Sequence, residues 1–238
     1  MGNKRVLVMT GMSDINQDIH DPNRTDNTYA DVNDMTLNSK ERYARKHGYD
    51  FLSVRSFGTD HLGRFKASEI GQMRAYRAFR LLEEYDVVMW IDADSIITCD
   101  NYKIDDFGLT DSHSFYASYD WPWKESFSTG NFILNKTSKS DLLFKTYYDN
   151  AKQFPEEQST LNAIYRADVN SLRSTMKVLD HKFLGSIPNV DIYKSVGTWE
   201  GRGNIPWPWK EGDFLLHVGG VSNKHRIAIL KNYFGRYL

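Results

Sequence analysis

Residues 85–98 read YDVVMWIDADSIIT, and the reading of this run decides the reading of the whole 238-residue chain. Five apolar or aromatic residues, Val87 to Ile91, lead straight into Asp92 and Asp94, with only the small Ala93 between them. A strand that merely fills a core has no need of two negative charges at its end. Alternation along a strand would turn both carboxylates to one side. There they repel each other unless a proton or a cation lies between them. Oxygen ligands of this kind suit a hard divalent ion such as Mg²⁺ or Mn²⁺, commonly held by one or two carboxylates together with substrate phosphates. The structural alternative is that Asp94 caps the following turn while Asp92 pairs with a basic side chain.

Working outward, Arg5 to Thr10 reads as a buried first strand ending in a loop, Thr10-Gly11-Met12-Ser13-Asp14. Residues 16–33 are polar and read as loop, 34–47 as a helix, and the stretch after Gly48 as a second strand. Between Lys66 and Glu84, Ile70, Met73, Tyr76, Phe79 and Leu82 recur every third residue, which makes one face of a helix. Strand, helix, strand, helix, strand predicts an α/β fold with a mainly parallel central sheet flanked by helices. Ligands of such sheets gather at the carboxyl ends of the strands, where Thr10 to Asp14 and the aspartate pair both fall. Further on, 114–120, 130–135, 176–180 and 214–220 read as strands. Residues 138–152 read as a helix capped by Ser138. Another helix starts at Pro155 with Glu156 and Glu157 in its first turn, and 222–234 form a basic terminal helix. With no linker, repeat or low-complexity tract, a single domain over 1–238 is the simplest organisation.

Composition narrows the function. The net charge of −1 gives no electrostatic case for nucleic acid or an anionic membrane. A lone cysteine, Cys99, rules out an intrachain disulfide. The first apolar run is too short for a signal peptide or a membrane span. The expectation is a soluble, cytoplasmic protein, of a compact viral or bacterial kind. The segment Trp-Pro-Trp-Lys-Glu occurs twice, at 121–125 and 207–211, so Trp121, Trp123, Trp207 or Trp209 could stack on a sugar; rigid Trp-Pro loops are the bland alternative. Lys231 and Arg236 read as an ordinary solvated helix face.

A second segment, FLLHVGGVSNKHR, sets His217 at the end of another apolar run, followed by Gly219, Gly220, Lys224 and Arg226. Imidazole serves as a third Mn²⁺ ligand. Glycines let backbone approach phosphate, and a lysine adds a point charge.

YDVVMWIDADSIIT, then STGNFILNK (128–136), EEQSTLN (156–162) and LLHVGG with its later lysine follow the motif order of GT-A-fold glycosyltransferases. Over about residues 5 to 225 the chain resembles the retaining galactosyl-, mannosyl- and xylosyltransferase family of yeast and plants, and more loosely glycogenin and bacterial galactosyltransferases. Phe65-Lys66 before the long helix is similar too. The resemblance implies a GT-A domain with a Rossmann-like sheet, a nucleotide-sugar donor (UDP-sugar ahead of GDP-sugar), a glycan acceptor and Mn²⁺ or Mg²⁺. It implies Asp92, Asp94 and His217 as metal ligands. Lys224 and the amides around Gly219 and Gly220 would meet the diphosphate, Lys66 the donor, and Thr10, Gly11 and Met12 the nucleoside. Asp120 and the turn Ser128-Thr129-Gly130-Asn131 would contact the transferred sugar, with Glu157 and Gln158 near its anomeric carbon. Two positions depart from the family pattern: Ser128 stands where asparagine is frequent, and Glu156-Glu157 where aspartates are usual.

Two other readings compete. The strand and DxD also resemble haloacid dehalogenase-type phosphohydrolases with Asp92 as nucleophile, although that motif normally sits on the first strand and a later acidic pair is lacking. A non-catalytic sugar-nucleotide-binding module would keep the metal ligands but has no use for Asp120, Asn131, Glu157 and Gln158 together.

Overall fold

The computed structural model describes residues 4–12, 29–55, 70–120, 123–198, 205 and 207–238, with backbone only for 123–125. Six strands form the main sheet: β1 (Val6–Gly11), β2 (Asp50–Val54), β3 (Val87–Ile91), β5 (Phe115–Asp120), β6 (Trp123–Asn135) and β7 (Met176–Leu179). Their spatial order is β2-β1-β3-β6-β5-β7. Five strands share one direction and β6 alone is reversed, pairing antiparallel with both β3 and β5. The mainly parallel sheet is as the sequence predicts. A separate two-stranded antiparallel sheet joins β4 (Ser95–Ile97) to β8 (Leu215–His217). The expected strand around His217 is therefore real but shorter, and lies outside the main sheet.

Alternation divides the strands between two cores. Leu7, Met9, Val88 and Trp90 face α2 (Ile70–Leu81), α3 (Ser140–Asn150) and α4 (Glu157–Ala167). Val6, Val8, Val87, Met89 and Ile91 face Tyr43 and Ala44 of α1 (Tyr29–His47) and Leu184 of the short α5 (His181–Leu184). A third cluster packs α6 (Val190–Ser195) and α7 (Asn223–Phe234) on the small sheet. The predicted stripe on α2 is observed: Met73, Tyr76, Phe79 and Leu82 are buried, and Ile70 packs against them. No helix among the described residues is long and apolar enough to cross a membrane.

Several local expectations change. The strand ends at Ile91, and Asp92 to Ser95 form a turn closed by a Ser95 N–H to Asp92 carbonyl bond of 3.1 Å. Helix α1 already includes Tyr29 to Asn33, read as loop because their polar side chains break the apolar pattern. Ser138 is not a cap: α3 starts at Ser140 after Lys139, and Ser140 Oγ instead accepts from Thr137 N (2.8 Å) and donates to the Asn135 carbonyl (3.0 Å). Pro155 stays outside α4, whose N-cap is Glu156. Lys66 and Trp121 lie outside the described residues.

Two side chains lock the layers. Gln72, 1% exposed, donates from Nε2 to the Ala151 and Phe154 carbonyls and to Thr160 Oγ1, while Tyr147 donates to its Oε1 at 2.6 Å. Asn162 of α4 accepts from Phe127 N and donates to Phe127 O, both at 2.9 Å. This second clamp stands beside an irregularity in β6. Ala117 pairs with Phe132 and Ser118 with Ser128, so residues 129–131 have no partner on β5. Such bulges re-aim side chains where function needs it. Replacing Asn162 by Leu leaves two buried backbone groups unpaired, at about 1–3 kcal/mol each. Urea denaturation of Asn162→Leu should therefore show a loss of about 2–6 kcal/mol, and an unchanged midpoint would contradict this role.

Candidate functional site

Strand alternation puts Asp92 on the same face as Trp90, whose indole Nε1 donates to Asp92 Oδ1 at 2.7 Å. That face belongs to α2, and Arg74 of α2 donates to the same oxygen. The Asp92 backbone N–H is shared between the Gly130 carbonyl (3.0 Å) and Asn131 Oδ1 (3.1 Å), which ties the turn to the irregular part of β6. The turn then carries Asp94 to the opposite side. Its carbonyl accepts from Val218 N at 3.0 Å, Oδ2 accepts from Arg226 Nε of α7 at 2.9 Å, and Oδ1 lies 3.3 Å from His217 Nε2. Turn geometry, rather than alternation, thus brings the two carboxylates together.

Asp92, Asp94 and His217 each offer one ligand atom, all within 4.8 Å of one another. Two carboxylate oxygens and an imidazole nitrogen are a donor set for Mn²⁺ or Mg²⁺. Asp94 Oδ1 is buried, and the group facing it is the His217 imidazole at 3.3 Å, too loosely aligned for a good hydrogen bond, so a cation could take that oxygen and the ring nitrogen together. Glycine also shapes the space. A Cβ on Gly130 would come within 2.6 Å of His217 Cε1 and 3.1 Å of Asp92 Oδ2, and one on Gly219 within 3.0 Å of His217 Nε2.

Lys40 of α1 is fully buried beneath the turn. Its Nζ donates to the Asp92 carbonyl (2.8 Å), Thr36 Oγ1 (3.0 Å) and Thr10 Oγ1 (3.2 Å). Burial lowers its pKa to about 7 against the pull of Asp94 and Asp92. Burial and the neighbouring Asp94 push Asp92 up, with Arg74 opposing. For Asp94 burial acts upward, but His217 and Arg226 outweigh it and hold the carboxyl below the usual range. Burial disfavours the His217 imidazolium, yet Asp94 prevails and raises its pKa.

A second chain of contacts runs from Arg74. Its guanidinium also donates to Glu157 Oε1, from Nε at 2.8 Å and from Nη2, and Thr129 Oγ1 donates to the same oxygen at 2.7 Å. Glu157 is 1% exposed, and all three donors converge on its Oε1. Gln158 is placed differently: Oε1 accepts from Thr129 N (3.1 Å) and Nε2 donates to Asp120 Oδ2 (2.9 Å). Burial raises the Asp120 pKa, with His217 pulling the other way. Asp120 and Gln158 line a cavity of ≈ 470 Å³ with Ser126, Phe154, Asn162 and Arg166.

The other expected residues are distributed as follows. Thr10, Gly11 and Met12 are buried at the end of β1. Asn131 is 1% exposed, and its Nδ2 donates to the Leu184 carbonyl at 3.2 Å, so both ends of its amide are used within the protein. Ser128 Oγ accepts from Gly130 N at 3.3 Å. Gly219 and Gly220 follow His217, Gly220 in the left-handed region at φ +75°. Lys224 is exposed on the first turn of α7, whereas Arg226 is the buried cation against Asp94. Arg74 and Lys40 were missed by sequence reasoning. Lys40 belongs to a buried polar stripe on α1, Asn33, Thr36, Lys40 and Tyr43, that keeps helical spacing. That spacing was the available signal.

A mainly parallel sheet flanked by helices is the architecture of a GT-A-type, Rossmann-like domain. No protein-family model and no curated protein sequence matches the chain. Solved structures do. A glycosyltransferase involved in the glycosylation of the major capsid of PBCV-1 superposes with a TM-score of 0.63 at 16% identity, covering 95% of this chain and 99% of that one. The bifunctional WbbM enzyme matches at TM-score 0.61 and 15% identity over 97% of this chain, which spans 50% of its length. The galactosyltransferase LgtC, in complex with donor and acceptor sugar analogs, gives 0.52 and 12% over 90% of this chain and 87% of that one. At these identities the similarity is one of fold.

Gly130→Ala tests the cluster. The added methyl must displace His217, so Mn²⁺ affinity should drop by about tenfold or more, a loss of about 1.4 kcal/mol. Circular dichroism should be unchanged. Titration calorimetry with MnCl₂ that gave wild-type affinity would argue against a ligand role for His217.

Proposed function

We propose that the chain is a single catalytic domain, a metal-dependent glycosyltransferase. It moves a hexose or pentose from a nucleotide diphosphate sugar, UDP-linked rather than GDP-linked, to a hydroxyl of a glycan acceptor with retention of configuration. The observation that carries this reading is the convergence of Asp92, Asp94 and His217 within 4.8 Å at the carboxyl edge of the sheet in a GT-A fold.

Asp92, Asp94 and His217 would hold Mn²⁺ or Mg²⁺, which when bound supplies Lewis-acid neutralisation of the leaving diphosphate. Lys224 and the backbone at Gly219 and Gly220 meet the diphosphate. Thr10, Gly11 and Met12 border the nucleoside, and the family resemblance alone assigns Lys66 to the donor. Asp120 orients the transferred sugar, and the Ser128–Asn131 turn stands behind it and fixes Gln158 near the anomeric carbon. Preorganised dipoles of this kind need no rearrangement as charge develops.

Retention is the course of the family that the chain resembles, and the burial of Glu157 agrees with it. Inversion needs a general base within reach of the acceptor hydroxyl. Glu157, 1% exposed, gives Oε1 to Arg74 and Thr129, which keeps it from that role, whereas Asp120 gives only Oδ2 to Gln158 and Glu156 is exposed. In the retaining course, the bond from the anomeric carbon to the diphosphate breaks with its electron pair leaving on the diphosphate. The acceptor oxygen bonds to that carbon from the same face, and its proton passes to a diphosphate oxygen.

Isothermal titration with UDP and with GDP, each with Mn²⁺ or with EDTA, tests the reading on wild type, Asp94→Ala and His217→Ala. UDP should bind only with Mn²⁺, and both variants should lose about tenfold or more. Binding that is indifferent to metal, or no nucleotide binding at all, would sink the proposal.

A further inference from the structure

The described copy of the repeated Trp-Pro-Trp segment splits its two indoles between different tasks. Trp209 turns inward: its Nε1 donates to Thr98 Oγ1 at 2.9 Å, and its ring meets Phe234 and Tyr237 edge-on. Trp207 turns outward, 43% exposed. One face of its indole lies flat on the His181 imidazole, with centroids 3.9 Å apart and planes at 15°. Tyr119, 41% exposed, continues the run, 6.2 Å from His181 and 26° from parallel. Only four large hydrophobic side chains among the described residues are exposed, Leu52, Tyr119, Trp207 and Tyr233. Two of the four share this one stack.

The stack is held rigidly. Pro208 bridges to Ile187, and Trp209 N donates to the Ile187 carbonyl at 2.8 Å. His181, 8% exposed, opens α5, whose N-cap Asp180 accepts from Lys182 N. The same segment is tied to the site: Ser186 O accepts from His217 N at 2.8 Å, and Leu184 O accepts from Asn131. Tyr119 directly precedes Asp120. Beside the rings, two buried polar atoms, His181 Nε2 and Ser118 Oγ, have no hydrogen-bond partner.

We propose that Tyr119, His181 and Trp207 form the docking platform for a pyranose ring of the acceptor glycan, whose C–H face lies on the free face of Trp207. The proposal rests on the glycosyltransferase reading and adds the acceptor side to it. A pyranose has an apolar face and a rim of hydroxyls, and the exposed indole of Trp207 offers that apolar face a flat aromatic surface. Because His181 already fixes the indole, little side-chain freedom is lost when a ligand lands.

Saturation-transfer NMR tests the platform with methyl β-D-galactopyranoside, methyl α-D-mannopyranoside and methyl β-D-xylopyranoside, each with UDP and Mn²⁺ present. At least one glycoside should be saturated on the C–H protons of one ring face. Trp207→Ala should weaken that binding by about tenfold, and Trp207→Phe should restore most of it. UDP affinity, titrated separately, should be the same in all three proteins. Undiminished saturation in Trp207→Ala, or no saturation of any glycoside by wild type, overturns the platform. So does a loss of UDP affinity in Trp207→Ala without an effect on the glycosides, since that assigns the rings to the base. If the glycosides bind in a Trp207-dependent way but UDP and GDP never bind, the platform stands and the donor reading falls.

Discussion

Asp92 and Asp94 are buried within a few ångströms of each other, and two carboxylates so placed repel with little water to screen them. Much of the architecture answers that repulsion. Two guanidiniums pair with the carboxylates, Arg74 of α2 with Asp92 and Arg226 of α7 with Asp94, while Lys40 of α1 holds the Asp92 backbone carbonyl from below. Breaking a buried pair by removing one partner costs about 3–5 kcal/mol, so neither α2 nor α7 is free to drift. Arg74 extends the requirement to α4 by holding Glu157, and with it the neighbouring Gln158. The helices on both faces of the sheet are thus fastened to one short turn.

The reversed strand supplies the other half of the arrangement. β6 passes the end of β3 in mid-course and breaks its register with β5 there. The residues released by that break are Thr129, Gly130 and Asn131. Thr129 steadies Glu157 and Gln158, Gly130 leaves room for His217, and Asn131 fastens the aspartate turn to α5. A strand paired on one side and loosened on the other gives these groups more rigidity than a free loop would. Sites built on such elements hold their geometry closely.

The fold was legible wherever apolar residues keep a period. The five-residue run into Asp92, the stripe on α2 and the strand–helix alternation all follow from side chains seeking the two cores. The aspartate pair and His217 were legible because charge at the end of a buried strand is costly and needs a reason. What the periodicity missed was polar burial. Lys40 and Arg74 are held by partners 52 and 18 residues away in sequence, and no local pattern records such pairs. Ser138 failed as a cap for a related reason, since Ser140 found better bonds in the preceding turn. The pairing of Arg226 with Asp94 escaped the sequence reading for the same reason, being a contact between α7 and a turn far away in the chain.

Gln72 bears on mechanics rather than on chemistry. Its one amide joins α2 to the end of α3 and to Thr160 of α4, two residues from Arg74 on one side and two from Gln158 on the other. Those helices therefore behave as a single stiff plate. Any change of shape during a working cycle must be taken up elsewhere in the molecule. Slack introduced at this remote amide would be felt as misalignment of Gln158, far from any group that touches a ligand.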